Sequence, residues 1–166
     1  MGESILTALG SIPNELKLLI VSMIPIIELR GAIPLGVAVL NMGIWETFLI
    51  SFIGNILPVP FLILLTRPIF TWLKKTKFLA PLVNKLEKRI EKKAADVMKH
   101  AALGLFFFVA IPLPGTGAWT GSMIASMLDM RFKYALPSII IGVAVAGVIM
   151  TIGSYGLTSL IGLFIS

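Results

Sequence analysis

The chain contains no cysteine and only one histidine, His100. It can form no disulfide framework, no thiolate metal site and no cysteine nucleophile. A single histidine also removes most histidine-based metal sites and Ser-His-Asp chemistry. Charge is scarce too: Asp, Glu, Lys and Arg make up 13% of the 166 residues, where a soluble domain carries about 25%. The deficit is concentrated. Thr47 to Thr66, Ala101 to Leu128 and Tyr134 to Ser166 hold no charged residue. About 20 uncharged apolar residues suffice to cross the hydrocarbon core, so three such stretches leave little room for a soluble domain. The expectation is an all-α integral membrane protein forming a single membrane domain over residues 1–166. It is expected to be no enzyme, with no catalytic residues, metal ligands or cofactor. The N-terminus lacks a basic region and Glu3 is its first charge, so no signal peptide is expected.

The charge that is present is unevenly placed. Of 14 Lys and Arg, ten lie between Arg67 and Lys99, opposed there by Glu87, Glu91 and Asp96. In a soluble protein this would suggest nucleic acid. In a multi-pass protein it marks the cytoplasmic side, so residues 67–100 are placed in the cytoplasm of a cell with its spans in the inner or plasma membrane, and no nucleic-acid partner is expected. Within the segment, Val83, Leu86, Ile90, Ala94 and Val97 recur at spacings of three and four. They predict an amphipathic helix over 82–99, lying on the membrane surface or simply solvated as a connector.

On either side of the basic segment the same order of parts occurs. Leu16 to Ile27 is a run of 12 residues, apolar apart from Lys17, about 18 Å as helix. A break follows at Glu28-Leu29-Arg30-Gly31-Ala32-Ile33-Pro34. A second short apolar run ends at Asn41-Met42-Gly43, Trp45 and Glu46 mark an interface, and Thr47 to Thr66 is long enough to span. In the second half, Ala101 to Ile111 is short and apolar, and Pro112-Leu113-Pro114-Gly115-Thr116-Gly117-Ala118-Trp119 breaks it. Thr120 to Leu128, an interface at Asp129, Arg131 and Lys133, and a span over Tyr134 to Tyr155 complete the copy. Ile24-Pro25 falls on Ile111-Pro112 at an offset of 87, and after one inserted residue Leu40-Asn41-Met42 falls on Leu128-Asp129-Met130 and Gly54 on Gly142.

Two readings of the broken segments remain open: each is a re-entrant hairpin, or each is one kinked span. As hairpins they return to their own side, the following span crosses once, and the second copy starts from the opposite face. The copies are then inverted: repeat 1 over 16–66, the cytoplasmic connector over 67–100, repeat 2 over 101–155 and a short apolar tail over 156–166. Their tips meet near the midplane, a recurring transporter design.

The candidate pathway residues sit at these breaks. Glu28 and Arg30 are charges inside an apolar region, where each costs at least ~2.5–3.5 kcal/mol. Either Glu28 carries a proton while Arg30 grips an anionic group through its planar fork, or the two form an ion pair that fastens the hairpin. Gly31 and Pro34 make the tip irregular. At the second tip, Pro112, Pro114, Gly115, Thr116, Gly117 and Trp119 carry no charge. Flexible glycine backbone, a hydroxyl and the N-terminus of a helix starting near Ala118 form either an anion cradle or a tight inter-hairpin contact. Asn55, ahead of Pro58 and Pro60, either lines the path or bonds a tip.

The run Glu28 to Pro34 together with Pro112 to Gly121 resembles the small multidrug export family, over nearly the whole chain. That family in turn resembles a minimal, distant relative of the DedA (VTT-domain) superfamily. The resemblance implies two inverted re-entrant hairpins and flipping or scrambling of a lipid, such as undecaprenyl phosphate, with proton coupling. It assigns Glu28 and Arg30 to the charged first motif and Pro112 to Gly121 to the second, although the second tip here lacks the acidic and arginine residues of DedA proteins. The expected function is therefore transport of a phospholipid or polyprenyl phosphate, possible proton coupling included. The alternatives are a proton-coupled small multidrug exporter and a non-transporting scaffold. Expected partners are membrane lipids and a second copy of the chain in a homodimer.

Overall fold

The structure, a computed structural model, describes residues 10, 12–76, 80–94 and 101–165, with backbone alone for 90–94 and 157–165. No strand occurs among the described residues. The helices are α1 (Asn14–Met23), α2 (Glu28–Ala38), α3 (Ile44–Ile56), α4 (Val59–Leu73), α5 (Ala80–Ala94), α6 (Ala101–Ala110), α7 (Ala118–Met127) and α8 (Phe132–Ile165). The 30 residues of α3 and α4, Ile44–Leu73, and the 25 residues Phe132–Gly156 are long and apolar enough to cross a membrane.

Local chemistry sets the first break. Pro13 enters α1 with φ −53° and ψ 146°, and its carbonyl accepts from the amides of Leu16 and Lys17. The helix stops at Ile24, which is extended (ψ 128°) because the ring of Pro25 crowds a helical residue before it. A turn through Ile27 follows, and the amide of Glu28 bonds back to the Ile24 carbonyl at 2.8 Å.

The chain then doubles back. A Cβ built on Gly36 would lie 3.2 Å from the Cδ2 of Leu18. Along one continuous helix those residues would be about 27 Å apart, so α1 and α2 fold back on each other as a helical hairpin. The second break behaves alike: a Cβ on Gly121 of α7 would lie 2.7 Å from Val109 and 3.5 Å from Leu105 of α6.

The helices form two compact units, Met1–Leu57 with Val143–Ser166, and Pro58–Gly142. In the first, Leu18, Val21, Ala32 and Met42 form the buried cluster, with Ile27, Leu35, Leu40 and Ile50 against it. Lipid tails are as apolar as leucine, so close packing at small residues, and not transfer from water, holds such helices together. Gly36 admits the Thr47 methyl, and Gly54 admits the Leu19 carbonyl, 2.6 Å from where a Cβ would stand. The second half of α8 joins this unit through Gly147, set against Phe48 and Leu29. The Tyr155 hydroxyl also donates to the Met42 carbonyl at 2.7 Å. In the second unit α7 packs on α4, α5 and α6. The Arg67 amide donates to Ser126 Oγ at 3.2 Å, and Arg67 pairs with Asp129 and Lys74 with Glu87.

The two units repeat the same devices. Each hairpin's second helix is followed within three residues by one in the left-handed region, Asn41 (φ 51°) and Asp129 (φ 52°), types that tolerate it. Gly54 packs on Ser22 and the Leu19 carbonyl, and Gly142 on Val109 and the Phe106 carbonyl. Each member of the second trio lies 87 or 88 residues beyond its counterpart, the offset of the sequence superposition.

Some boundaries differ from the sequence reading. The first long helix runs to Leu73, into the stretch assigned to the connector. Arg67 ends the apolar run, but a charge at a membrane boundary does not end a helix. The tail continues α8 without a break. The basic helix is observed as α5, and its segment 95–99 lies outside the described residues, as do the side chains of Ile90 and Ala94. Val83 is buried in its unit, whereas Leu82 and Leu86 are exposed.

Candidate functional site

The first hairpin tip places a carboxyl group where the chain turns. Glu28 is 5% exposed and adopts φ 49°, an uncommon conformation for a non-glycine residue that costs of order 1–3 kcal/mol and gathers at functional sites. As the first residue of α2 it also lies at the positive end of that helix's dipole. Arg30 is half-buried and within reach of the Glu28 charge, so the structure brings together the two charges that the sequence singled out. Gly31 leaves room for Ile27, whose Cγ2 would stand 2.6 Å from a Cβ there. Pro34 sits inside α2 and supplies no amide to the Arg30 carbonyl four residues earlier.

Asn55 belongs to the same unit and is 3% exposed. Its position follows from helix geometry. Thr47, Ser51 and Asn55 recur every four residues on α3, so they share one face. All three are buried. The Thr47 methyl touches Gly36, so this face is turned toward α2. A short turn links α2 to α3, and the two run antiparallel. Eight residues back along α2 from Gly36 is Glu28, and eight forward along α3 from Thr47 is Asn55. The two advances are equal, about 12 Å each, so Asn55 stands level with Glu28.

The electrostatic character of this stripe is that of acceptors. Ser51 Oγ and Asn55 Oδ1 are fully enclosed and have no hydrogen-bond partner among the described residues. Each such group costs about 1–3 kcal/mol, and in a membrane span no bulk water relieves it. A carboxylate, an amide oxygen and a hydroxyl oxygen along one buried face suit a proton, a water or a cationic donor. Ser51 and Thr47 were not singled out in the sequence. The signal was the spacing of 47, 51 and 55 in an otherwise apolar span.

The second tip belongs to the other unit. Gly115 (φ 78°) and Gly117 (φ 129°) both occupy the left-handed half of conformational space, which is why glycines stand there. The helix α7 begins at Ala118, with Gly117 as its cap. Pro112 is half-buried, Pro114 and Gly115 are exposed, Gly117 is buried and Trp119 half-buried. The Thr116 hydroxyl bonds the carbonyls of Ile111 and Leu113, both at 2.9 Å. It closes the loop upon itself and gives the Ile111 carbonyl, just past the end of α6, a donor.

No curated protein and no solved structure matches the chain. A family model described as "Putative small multi-drug export protein" matches residues 28–149. The matched region opens on Glu28 and contains Arg30, Asn55 and the whole second tip. With a span of membrane length after each of two helical hairpins, and a family match over well more than half its length, the chain is a membrane protein that belongs to the small multidrug export family.

Proposed function

We propose that the chain is a proton-coupled membrane transporter that exports amphiphilic organic cations, with Glu28 as the group that exchanges proton for substrate. One observation carries this reading: a buried carboxylate stands level with Asn55 and one helical turn from Ser51, and the enclosed oxygens of both have no hydrogen-bond partner among the described residues. The Glu28 carboxylate attracts positive charge, and the enclosed oxygens of Asn55 and Ser51 can accept from a cationic donor. Arg30 then serves as the counter-charge that Glu28 faces between substrates. The family description points the same way. No chemistry is catalysed in this reading, and no cofactor is needed.

Transport of a lipid phosphate, the function implied by the DedA resemblance, is the second reading. Arg30 beside Glu28 supports it, since guanidinium is the natural phosphate partner. Proteoliposomes separate the two. Under an imposed pH gradient, a fluorescent lipophilic cation is expected to move against its own gradient, and movement is expected to stop when the pH gradient is collapsed. Redistribution of a labelled phospholipid without cation movement would move the assignment to the lipid reading.

In the bilayer the two hairpins are taken as re-entrant and the two copies as inverted, with the basic segment cytoplasmic in the cell membrane and a second copy of the chain completing the path. The matching glycine contacts and left-handed turns of the two units support a repeat. Helices of 10 and 11 residues, such as α1 and α2, reach only about half the bilayer. Labelling tests the topology at four exposed positions. Asn14→Cys and Asn41→Cys are expected to react with a membrane-impermeant maleimide from outside, and Asn84→Cys and Arg131→Cys only from inside. Opposite sidedness of positions 14 and 41 would overturn the re-entrant arrangement.

A further inference from the structure

We infer that the groove between α6 and the start of α8 is a binding site for an anionic phospholipid, with the headgroup at Lys133 and one acyl chain along the helices. The inference is independent of any transport activity, because it concerns a resident lipid and a different set of residues.

The groove has a volume of about 390 Å³ and is lined by Ala102, Leu103 and Phe106 from α6, and by Lys133, Tyr134, Pro137, Ser138 and Ile141 from α8. Its walls are almost wholly apolar. The Ser138 hydroxyl is committed to the Tyr134 carbonyl at 2.8 Å, so it adds no polarity to the wall. Lys133 is the one charge, and it stands at one end of the groove. Its ammonium lies 5.0 Å from the centre of the Tyr134 ring, a cation–π contact that holds the charge at the mouth.

The geometry matches a phospholipid in its orientation as well as in its chemistry. Lys133 and Tyr134 are in the first turn of the span Phe132–Gly156, where headgroups lie and where lysine and tyrosine settle. From Lys133 to Ile141 the groove follows α8 for eight residues, about 12 Å into the hydrocarbon. Exposed Leu103 and Ile141 then face an acyl chain. Arg131 is exposed two residues earlier and adds positive potential at the same level. A zwitterionic lipid would fill the groove equally well but leave Lys133 without a net negative partner.

The internal repeat supplies a comparison. At the offset of 88 residues, Lys133 and Tyr134 correspond to Trp45 and Glu46. The first copy therefore has an aromatic residue and a negative charge where the second has a lysine. One anionic lipid per chain is expected, held by the second copy.

The test uses the purified full-length protein in nanodiscs and in detergent. Native mass spectrometry is expected to show one phosphatidylglycerol retained per chain in preference to phosphatidylcholine. The preference is roughly five-fold in affinity, the effect of one basic side chain at a membrane surface. Lys133→Gln is expected to erase that preference while leaving phosphatidylcholine binding unchanged. Ile141→Trp, which fills the groove, should reduce retention of both lipids. Lys85→Gln, which removes an exposed charge from α5, should change nothing. All three substituted positions are exposed, and thermal stability measured in parallel verifies folding. An unchanged headgroup preference in Lys133→Gln overturns the site. So does an equal loss in Lys85→Gln, which would mean general surface charge and not this groove.

Discussion

Glu28→Gln is expected to abolish coupling to the pH gradient while the protein still inserts and folds. The amide keeps the size of the carboxyl group but cannot titrate, so downhill movement of substrate survives and uphill movement is lost. The pair's structural share can be read separately. If Glu28 and Arg30 were only a fastener, removing one partner would strand a buried charge at about 3–5 kcal/mol, and replacing both could be neutral or better. Arg30→Met alone should then lower thermal stability sharply, and Glu28→Gln with Arg30→Met should restore stability and activity together. The expected result is different: the double variant regains stability and stays inactive in gradient-driven transport. Arg30→Lys discriminates further. It preserves a charge near Glu28 but loses the planar fork, so cation export should persist whereas binding of a lipid phosphate would weaken. Uptake assays in proteoliposomes beside melting curves of each purified variant check this set. Activity that merely tracks stability across the set would remove Glu28 from the pathway.

Gly54→Ala is expected to be among the most destabilising single substitutions in the chain. The new Cβ would meet the Ser22 hydroxyl and stand 2.6 Å from the Leu19 carbonyl. Overpacking ordinarily costs about 1–3 kcal/mol. Here one obstacle is helix backbone, which cannot rotate away, so the cost should reach about 3 kcal/mol or more. Ser22→Ala added to Gly54→Ala should recover only part, because the carbonyl remains. The counterpart Gly142→Ala faces the Val109 Cβ at 2.8 Å and the Phe106 carbonyl at 3.0 Å and should be similarly damaging. Gly147→Ala meets the far ends of Phe48 and Leu29, which can move, and should be milder. Gly153→Ala meets nothing. It should be neutral or gain up to about 1 kcal/mol from helix propensity. Melting temperatures of the four variants in one detergent test the order. Equal effects at Gly54 and Gly153 would contradict the close packing of α1 on α3.

Composition and spacing determined the class of this protein by themselves. Charge-free stretches leave no alternative to lipid for so many apolar residues. The breaks were visible as well, because Pro25 and the pair Gly115 and Gly117 act on the backbone locally, through steric exclusion and left-handed torsions. The repeat could be seen as an order of parts. What the sequence left open was direction. A short run, a break and a short run can continue or turn back, and only the contact of Leu18 with Gly36 decided for a hairpin. Helix ends at the membrane boundary were also left open, since hydropathy reports where lipid ends and α4 continues past Arg67 to Leu73. The Thr116 hydroxyl went to its own loop, a choice made by the nearest carbonyls. Above all, an apolar span carries no strong amphipathic signal, because lipid and packed neighbours prefer the same side chains. Asn55 could be named, but its face could not. That Ser51 and Asn55 are enclosed, and that Asn55 stands level with Glu28, followed only from tertiary packing, to which the contact of Gly36 with the Thr47 methyl gives the register.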